Sequence, residues 1–383
     1  MDLSLTPGQE AVRALARRVA VEVVAPAARR SDEECRFDRE VIRALGREGI
    51  LGGPLPREHG GGGWDDLSFA LCCEELGAVD ASVRGLLCVH AALVGRCLLD
   101  HGSEAQRARW LPRLATGAWI GAYALSEEGA GSDAAALATT AREAADGWVL
   151  DGEKVWITNG GVADLLLVYA TVDPSQGHRG ITAFVLEPGT EGLERRPMEG
   201  VPLGHRGADH ARLSLRGAMV PKENLLGPVG GGFKVAMGAL DHGRLGVAAG
   251  AVGLHRACLE AVVEFARSRR QFGKRIGDFQ MVQERIADMA VDLEAARLLV
   301  WRAAMPRKPG ERNTAAVAAA KLFAVEAAQR AASEAVLLLG SRGYSSERPV
   351  ERHYRDAQGL RIYEGTSLVQ RIILAREILG KEP

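Results

Sequence analysis

The segment from residue 282 to residue 300 constrains the fold more than any other. Val282, Ile286, Met289, Leu293, Ala296 and Val300 follow a 4-3-4-3-4 spacing, which puts one apolar stripe on one face of a helix. Residues 246–269 and 314–339 are comparable runs without internal breakers. Helices of ~25 residues bury such stripes by packing along their length, which predicts a helical bundle from about Lys234 onward. Upstream the period changes. Between about Gly121 and Gly232 it falls to roughly 2, the repeat of a strand. Residues 148–156 read as a hairpin turning at Asp151-Gly152, a pair that tolerates φ > 0. Residues 165–172 and 181–186 are β-rich runs bounded by Asp, Pro and Gly. From Thr6 to about Arg113 helical spacing holds again, as in Val12, Leu15, Ala16 and Val19. Pro54-Leu55-Pro56 and Gly60 to Gly63 punctuate it, so short, separated helices are expected there. The order is helical, β, helical bundle, with domains expected at 1–120, 121–232 and 233–383.

The length, 383 residues, suits two to three domains at the usual ~150 residues each. With 48 basic and 49 acidic side chains the net charge is −1, which argues against the basic surplus of a nucleic-acid binder. Six cysteines form no CxxC pair and have no His at metal-ligand spacing. Reduced thiols in a cytosolic protein are expected, with no disulfide framework and no metal site. No charged segment followed by an apolar run opens the sequence, and no apolar stretch reaches ~18 residues. Neither a signal peptide nor a membrane span is expected.

Four stretches have residue types suited to chemistry, and each also has a plain structural reading. Tyr123 to Asp133 is a strand entering a Gly-containing loop whose N–H groups and hydroxyls suit an oxygen-rich planar ligand, or simply a turn. Trp156-Ile157-Thr158-Asn159 sets an indole beside a hydroxyl, fit to stack on a heteroaromatic ring or to fill a core. Arg269-Arg270-Gln271-Phe272-Gly273 is either a solvated helix end or a source of charge for a pyrophosphate. In Ile362-Tyr363-Glu364-Gly365-Thr366-Ser367 the carboxylate either caps the following helix or, among apolar groups, gains basicity.

Their order and spacing resemble the acyl-CoA dehydrogenase family over essentially the whole chain. Leu125 to Asp133, Trp156 to Asn159, Arg269-x-Gln271-Phe272-Gly273 and Tyr363 to Ser367 are similar to its signatures. The resemblance implies a mostly α fold with a central β-domain: α-helical, β-barrel-like and four-helix-bundle domains. It implies FAD as cofactor and α,β-dehydrogenation of an acyl thioester. By position, Leu125 and Ser126 would lie against the isoalloxazine, with Trp156 and Thr158 covering it and Thr158 near N5. Thr366 would bind the dinucleotide, and Ser132 would lie beside the substrate thioester. Arg269, Phe272 and Gln280 look like contacts made across a subunit interface, which implies a homotetramer or homodimer. Glu364 would take the α-proton while hydride leaves the β-carbon for flavin N5. The base N–H and a ribityl hydroxyl would meet the charge on the thioester oxygen. An electron-transfer flavoprotein is the implied acceptor.

The alternative base position on the helix near Leu240 to Arg244 is Gly243, so Glu364 is the sole candidate. Arg244 would line the acyl pocket or brace the first turn of that helix. Leu337 and Leu368 stand where the family commonly has polar residues, a loss expected to weaken FAD retention at ~1 kcal/mol per hydrogen bond. Arg84 resembles the arginine of glutaryl-CoA dehydrogenases, and its fork suits a distal carboxylate, although Cys88 replaces their serine. Its plain reading is a solvated helical Arg. The same run resembles dehydrogenases of carrier-protein-bound short acyl groups of the hydroxymalonyl type. The candidate substrates are therefore a short acyl-CoA, a dicarboxylyl-CoA and an acyl carrier thioester. A flavin monooxygenase of the same fold needs no carboxylate base, and Glu364 argues against it.

Overall fold

The computed structural model describes residues 4–306 and 313–380. Side-chain caps begin the N-terminal helices. Thr6 caps Pro7–Val19 in a reciprocal box with Gln9, and Ser103 caps Glu104–Ala115 with Gln106. Asp65 caps Asp66–Gly77, and Asp80 caps the helix starting at Ala81. That helix continues to His101, longer than the short helices expected. Gly85 and Gly95 do not stop it, because burying its apolar sides outweighs their ~1 kcal/mol propensity cost. It and Gly232–Ser268 are long and apolar enough to cross a membrane by length and composition alone, although Arg84, Arg96 and Asp100 interrupt the first and Lys234, Asp241 and Arg244 the second, so neither is an uninterrupted apolar run. Most of their apolar surface is buried within the fold.

The strands are β1 (Gly121–Ala124), β2 (Thr140–Ala144), β3 (Gly147–Thr158), β4 (Leu165–Thr171), β5 (Ile181–Leu186), β6 (Leu193–Pro197), β7 (His210–Pro221) and β8 (Leu225–Leu226). They form one mixed sheet in the order β6-β7-β3-β2-β4-β5-β8, with β1 parallel to β4. β4 and β5 are buried along their whole length, as strands covered on both faces must be. The hairpin expected at Asp151-Gly152 is not there. Residues 147–158 are one strand, and the β2–β3 turn falls at Ala145-Asp146, since Ala144 pairs with Gly147. Asp151-Gly152 is a register shift against β7, where Asp151 Oδ1 accepts from Gly217 N–H at 2.7 Å and Gly152 takes φ +149°. An Asp-Gly pair suits a bulge as well as a turn, and the partner on β7 decides for the bulge.

In the bundle, Met289, Leu293, Ala296 and Val300 of Gln280–Ala304 are buried as the stripe predicts, with Val282 and Ile286 half-buried. Helix Gly232–Ser268 starts well before the expected residue 246, so Arg244 sits in its interior rather than its first turn. Helix Thr314–Leu339 packs against this helix, against Gln280–Ala304, and against Val350–Leu360 and Ser367–Leu379. Its buried face is largely alanine, which brings those neighbours close. Gly232–Ser268 also meets Asp66–Gly77 backbone to backbone. A Cβ on Gly253 would lie 1.9 Å from the Glu74 carbonyl oxygen. Around this crossing Glu75 pairs with Arg17 (3.0 Å) and Arg256 (2.7 Å), and Glu74 with Arg297 (2.9 Å). Gly253→Ala is therefore expected to lower stability by about 1–3 kcal/mol, read as an earlier urea midpoint with an unchanged slope.

Candidate active site

Residues 363–365 form a turn that a polypeptide does not adopt unaided. Glu364 and Gly365 both have left-handed backbones, φ +52° and +86°, which for a side chain such as Glu costs on the order of 1 kcal/mol. Three helices hold it. Lys321 Nζ, from Thr314–Leu339, donates to the Tyr363 and Gly365 carbonyls at 2.5 and 2.6 Å. Arg244 Nε, from Gly232–Ser268, donates to the Glu364 carbonyl at 3.1 Å. Gln370, from Ser367–Leu379, reaches the Glu364 and Gly365 carbonyls. Thr366 caps that last helix, its Oγ1 accepting from Val369 N–H at 3.2 Å.

The turn points the carboxyl group inward. Glu364 Oε2 is shut off from solvent and has no hydrogen-bond partner among the described residues. A Cβ on Gly243 would lie 2.2 Å from it, so only glycine leaves room for the acid. Burial pushes the Glu364 carboxyl above the usual carboxylate range, against the opposing pull of Lys321, Arg84 and Arg244. Arg84 is 1% exposed, which removes its solvated reading. It donates to the Tyr363 hydroxyl at 2.5 Å, lies over that ring at 5.7 Å, and has no carboxylate partner among the described residues. The Tyr363 hydroxyl lies 3.4 Å from His205 Nε2, and His205 N–H donates to Asp356 at 2.6 Å.

On the sheet side, the loop after β1 is anchored by a buried ion pair. Lys154, fully buried, meets Glu127 at 2.6 Å, and Glu127 also accepts from Ala138 N–H, Thr139 N–H and the Thr139 hydroxyl. These bonds hold Glu127 below the usual carboxylate range, and burial pushes Lys154 down to about 8. The pinned loop displays Leu125, Ser126 and Ser132. Leu125 is buried, while neither the Ser126 N–H nor its hydroxyl has a partner among the described residues. Trp156, at φ +57°, holds its ring 54% exposed instead of filling a core. The Thr158 hydroxyl lies 3.3 Å from His210 Nδ1. An exposed indole, free N–H and hydroxyl donors and a second hydroxyl fit a flavin ring. The Tyr123 hydroxyl of β1 donates to the Ala236 carbonyl of Gly232–Ser268, the helix whose Gly243 faces Glu364, so one helix borders both acid and loop.

Arg269, Phe272 and Gln280 are not part of this neighbourhood. They are exposed at the far end of Gly232–Ser268, roughly 37 Å from Arg244 along the helix axis. Phe272 and Gly273, at φ +51° and +80°, turn a two-residue hairpin that leaves the ring 93% exposed. Leu337 and Leu368 are also exposed, at 65% and 69%.

Comparison with known proteins decides the family. The acyl-CoA dehydrogenase N-terminal, middle and C-terminal domains match residues 6–118, 122–218 and 230–379. This chain belongs to the acyl-CoA dehydrogenase family. A short-chain-specific acyl-CoA dehydrogenase of Clostridium acetobutylicum is 39% identical over 378 residues, 99% of this chain and 100% of the relative. A glutaryl-CoA dehydrogenase of Desulfococcus multivorans is 39% identical over 385 residues, 99% and 98% of the two chains. The butyryl-CoA dehydrogenase structure from Megasphaera elsdenii superposes with a TM-score of 0.96 at 40% identity, covering 99% and 100%. The protein is an FAD-dependent oxidoreductase acting on a CH–CH bond.

Sequence reasoning missed Lys321, Tyr363 as Arg84's partner, and the Glu127–Lys154 anchor. The only sequence signal for the first is a lysine inside an alanine-rich helix face. Glu127→Gln would leave Lys154 buried without its counter-charge, a loss of about 3–5 kcal/mol. The expected result is a lower unfolding midpoint together with loss of yellow colour on gel filtration.

Proposed function

We propose that the chain dehydrogenates a short acyl-CoA thioester, with Glu364 removing the α-proton. The observation that carries this is the inward Glu364 carboxyl, raised in pKa, with Oε2 buried and unpartnered among the described residues, on a turn fixed by three helices. Burial raises this carboxyl above the usual carboxylate range, which makes it a stronger base toward a carbon acid. The chemistry that FAD supplies when bound is uptake of hydride from the β-carbon. Leu125, Ser126, Trp156, Thr158 and Thr366 are the residues that would hold it. Ser132 stands beside the thioester, and Arg244 braces the base while lining the acyl pocket. The Glu364 N–H, which has no acceptor among the described residues, is a donor for the thioester oxygen. An electron-transfer flavoprotein is the acceptor we assign.

The remote position of Arg269, Phe272 and Gln280 supports a homotetramer or homodimer in which they serve a neighbour's FAD. Phe272→Ala is then expected to release FAD and shift the mass toward a smaller species in light scattering.

A second reading concerns the distal end of the acyl group. Arg244 is paired with Asp241 at 2.9 Å, which leaves Lys321 and Arg84 facing the single Glu364 charge. A buried guanidinium without a counter-charge favours an anionic occupant, such as a dicarboxylyl or hydroxymalonyl-type group carried on CoA or a carrier protein.

Anaerobic bleaching of the yellow enzyme with butyryl-CoA, glutaryl-CoA and acyl carrier thioesters tests both readings. Glu364→Gln is expected to keep FAD and lose bleaching by about 10²–10⁴-fold, and retained turnover would refute the base assignment. Arg84→Ala is expected to raise KM for glutaryl-CoA by about 10- to 100-fold, the equivalent of about 1.5–3 kcal/mol. An equal loss for butyryl-CoA would sink the anionic reading.

A further inference from the structure

Lys321 is the least expected residue at the site. Its side chain is fully buried, yet no carboxylate lies within ion-pair distance of it among the described residues. Its partners are two backbone carbonyls, Tyr363 and Gly365. Burying an ammonium costs several kcal/mol, and a carbonyl of this turn can be held by a neutral donor, as the Gln370 amide holds those of Glu364 and Gly365. The Tyr363 carbonyl and the Glu364 N–H belong to one peptide unit. A charged donor on that oxygen draws electron density from the nitrogen and strengthens the N–H as a donor, in the manner of any hydrogen-bonded chain.

We propose that Lys321 is a positioning residue for the reaction: through the Tyr363 carbonyl it orients and polarises the Glu364 N–H toward the thioester oxygen, beside the carboxylate that takes the α-proton. The proposal rests on the dehydrogenation reading above. As the Cα–H bond breaks, its proton goes to Glu364 and its electron pair moves toward the thioester, where the oxygen meets the strengthened N–H. The pair then forms the new double bond as the β-carbon gives up hydride to FAD. The two electrons that the substrate loses with that hydride would pass to FAD when it is bound.

The surrounding charges predict a pH profile. Burial pushes Lys321 down to about 7, with Glu364 opposing and Arg244 and Arg84 adding to the fall. Arg84 itself faces Tyr363 and Cys88. The competent state has Glu364 ionised and Lys321 protonated. Proton abstraction should rise with pH as Glu364 ionises and fall as Lys321 loses its proton, with apparent values belonging to the pair.

Two readouts separate this from mere bracing. With enzyme reduced beforehand by dithionite, exchange of the α-hydrogens of butyryl-CoA in deuterated buffer reports proton removal without turnover. The infrared carbonyl stretch of bound, ¹³C-labelled crotonyl-CoA reports polarisation at the thioester. Lys321→Met is expected to keep FAD, slow exchange at least about tenfold, abolish the alkaline limb of the profile and raise the carbonyl frequency. Lys321→Gln keeps donors without charge and should restore part of the frequency shift but not the alkaline limb. An unchanged alkaline limb and carbonyl frequency in Lys321→Met would overturn the proposal, even if its rate fell. If Lys321→Met does not fold, the same two readouts on Lys321→Gln decide. Exchange in wild type that persists undiminished in Lys321→Met overturns Lys321 alone. No exchange in wild type with either butyryl-CoA or glutaryl-CoA overturns the dehydrogenation reading as well.

Discussion

The turn at Tyr363-Glu364-Gly365 exists only because buried donors from three helices converge on its carbonyls. Lys321, Arg244 and Gln370 take the oxygens of three consecutive residues, and that set fixes a left-handed Glu364 that the free chain would rarely visit. The acid therefore depends on bundle packing. If Thr314–Leu339 moved against Gly232–Ser268, the carbonyls would lose their donors and the carboxyl its direction. The alanine face of one helix and Gly243 on the other hold that spacing small enough for a lysine and an arginine to reach the same turn.

The same dependence runs outward. Gly232–Ser268 touches Asp66–Gly77 at Gly253, so the bundle and the N-terminal helices share a crossing that admits no side chain. That crossing is enclosed by Glu74 and Glu75 with their three arginines. Charges in this setting fix a unique register at the cost of desolvation, a use for which ion pairs are better suited than for net stability. On the other side β1 reaches the same long helix through Tyr123, whose hydroxyl donates to the Ala236 carbonyl at 3.1 Å. One helix thus places the base side, the flavin-loop side and the N-terminal helices relative to each other.

Much of this was legible in the sequence because it is periodic. The stripe ending at Val300 and the β-rich runs at β4 and β5 follow from burial patterns that a few residues reveal. Asp151-Gly152 was misread because the pair serves a bulge and a turn equally, and only β7 distinguishes them. Arg84 stayed open between two readings, since a helical arginine carries no sign of what covers it; its burial under Tyr363 does. Lys321 was invisible for a related reason. Its partners are backbone oxygens more than forty residues along the chain, and a carbonyl acceptor has no sequence signature at all. His210 sits against the Thr158 hydroxyl and edge-on to Trp156.

The charge arrangement explains why a raised carboxyl and nearby cations coexist. Three cations pull the Glu364 pKa down, and burial still carries it up. Without the cations, burial alone would raise it further and favour the protonated, inactive form of the carboxyl. Without the burial, it would be too weak a base for a carbon acid. The balance also changes sign at the right moment. When Glu364 takes the proton it becomes neutral, and the negative charge it carried reappears on the thioester. Lys321 and Arg84 are then the uncompensated charges at the site, already in place before the charge moves. A site built this way stabilises the charge after it has moved more than before, which is the condition for accelerating the step rather than merely binding its reactant.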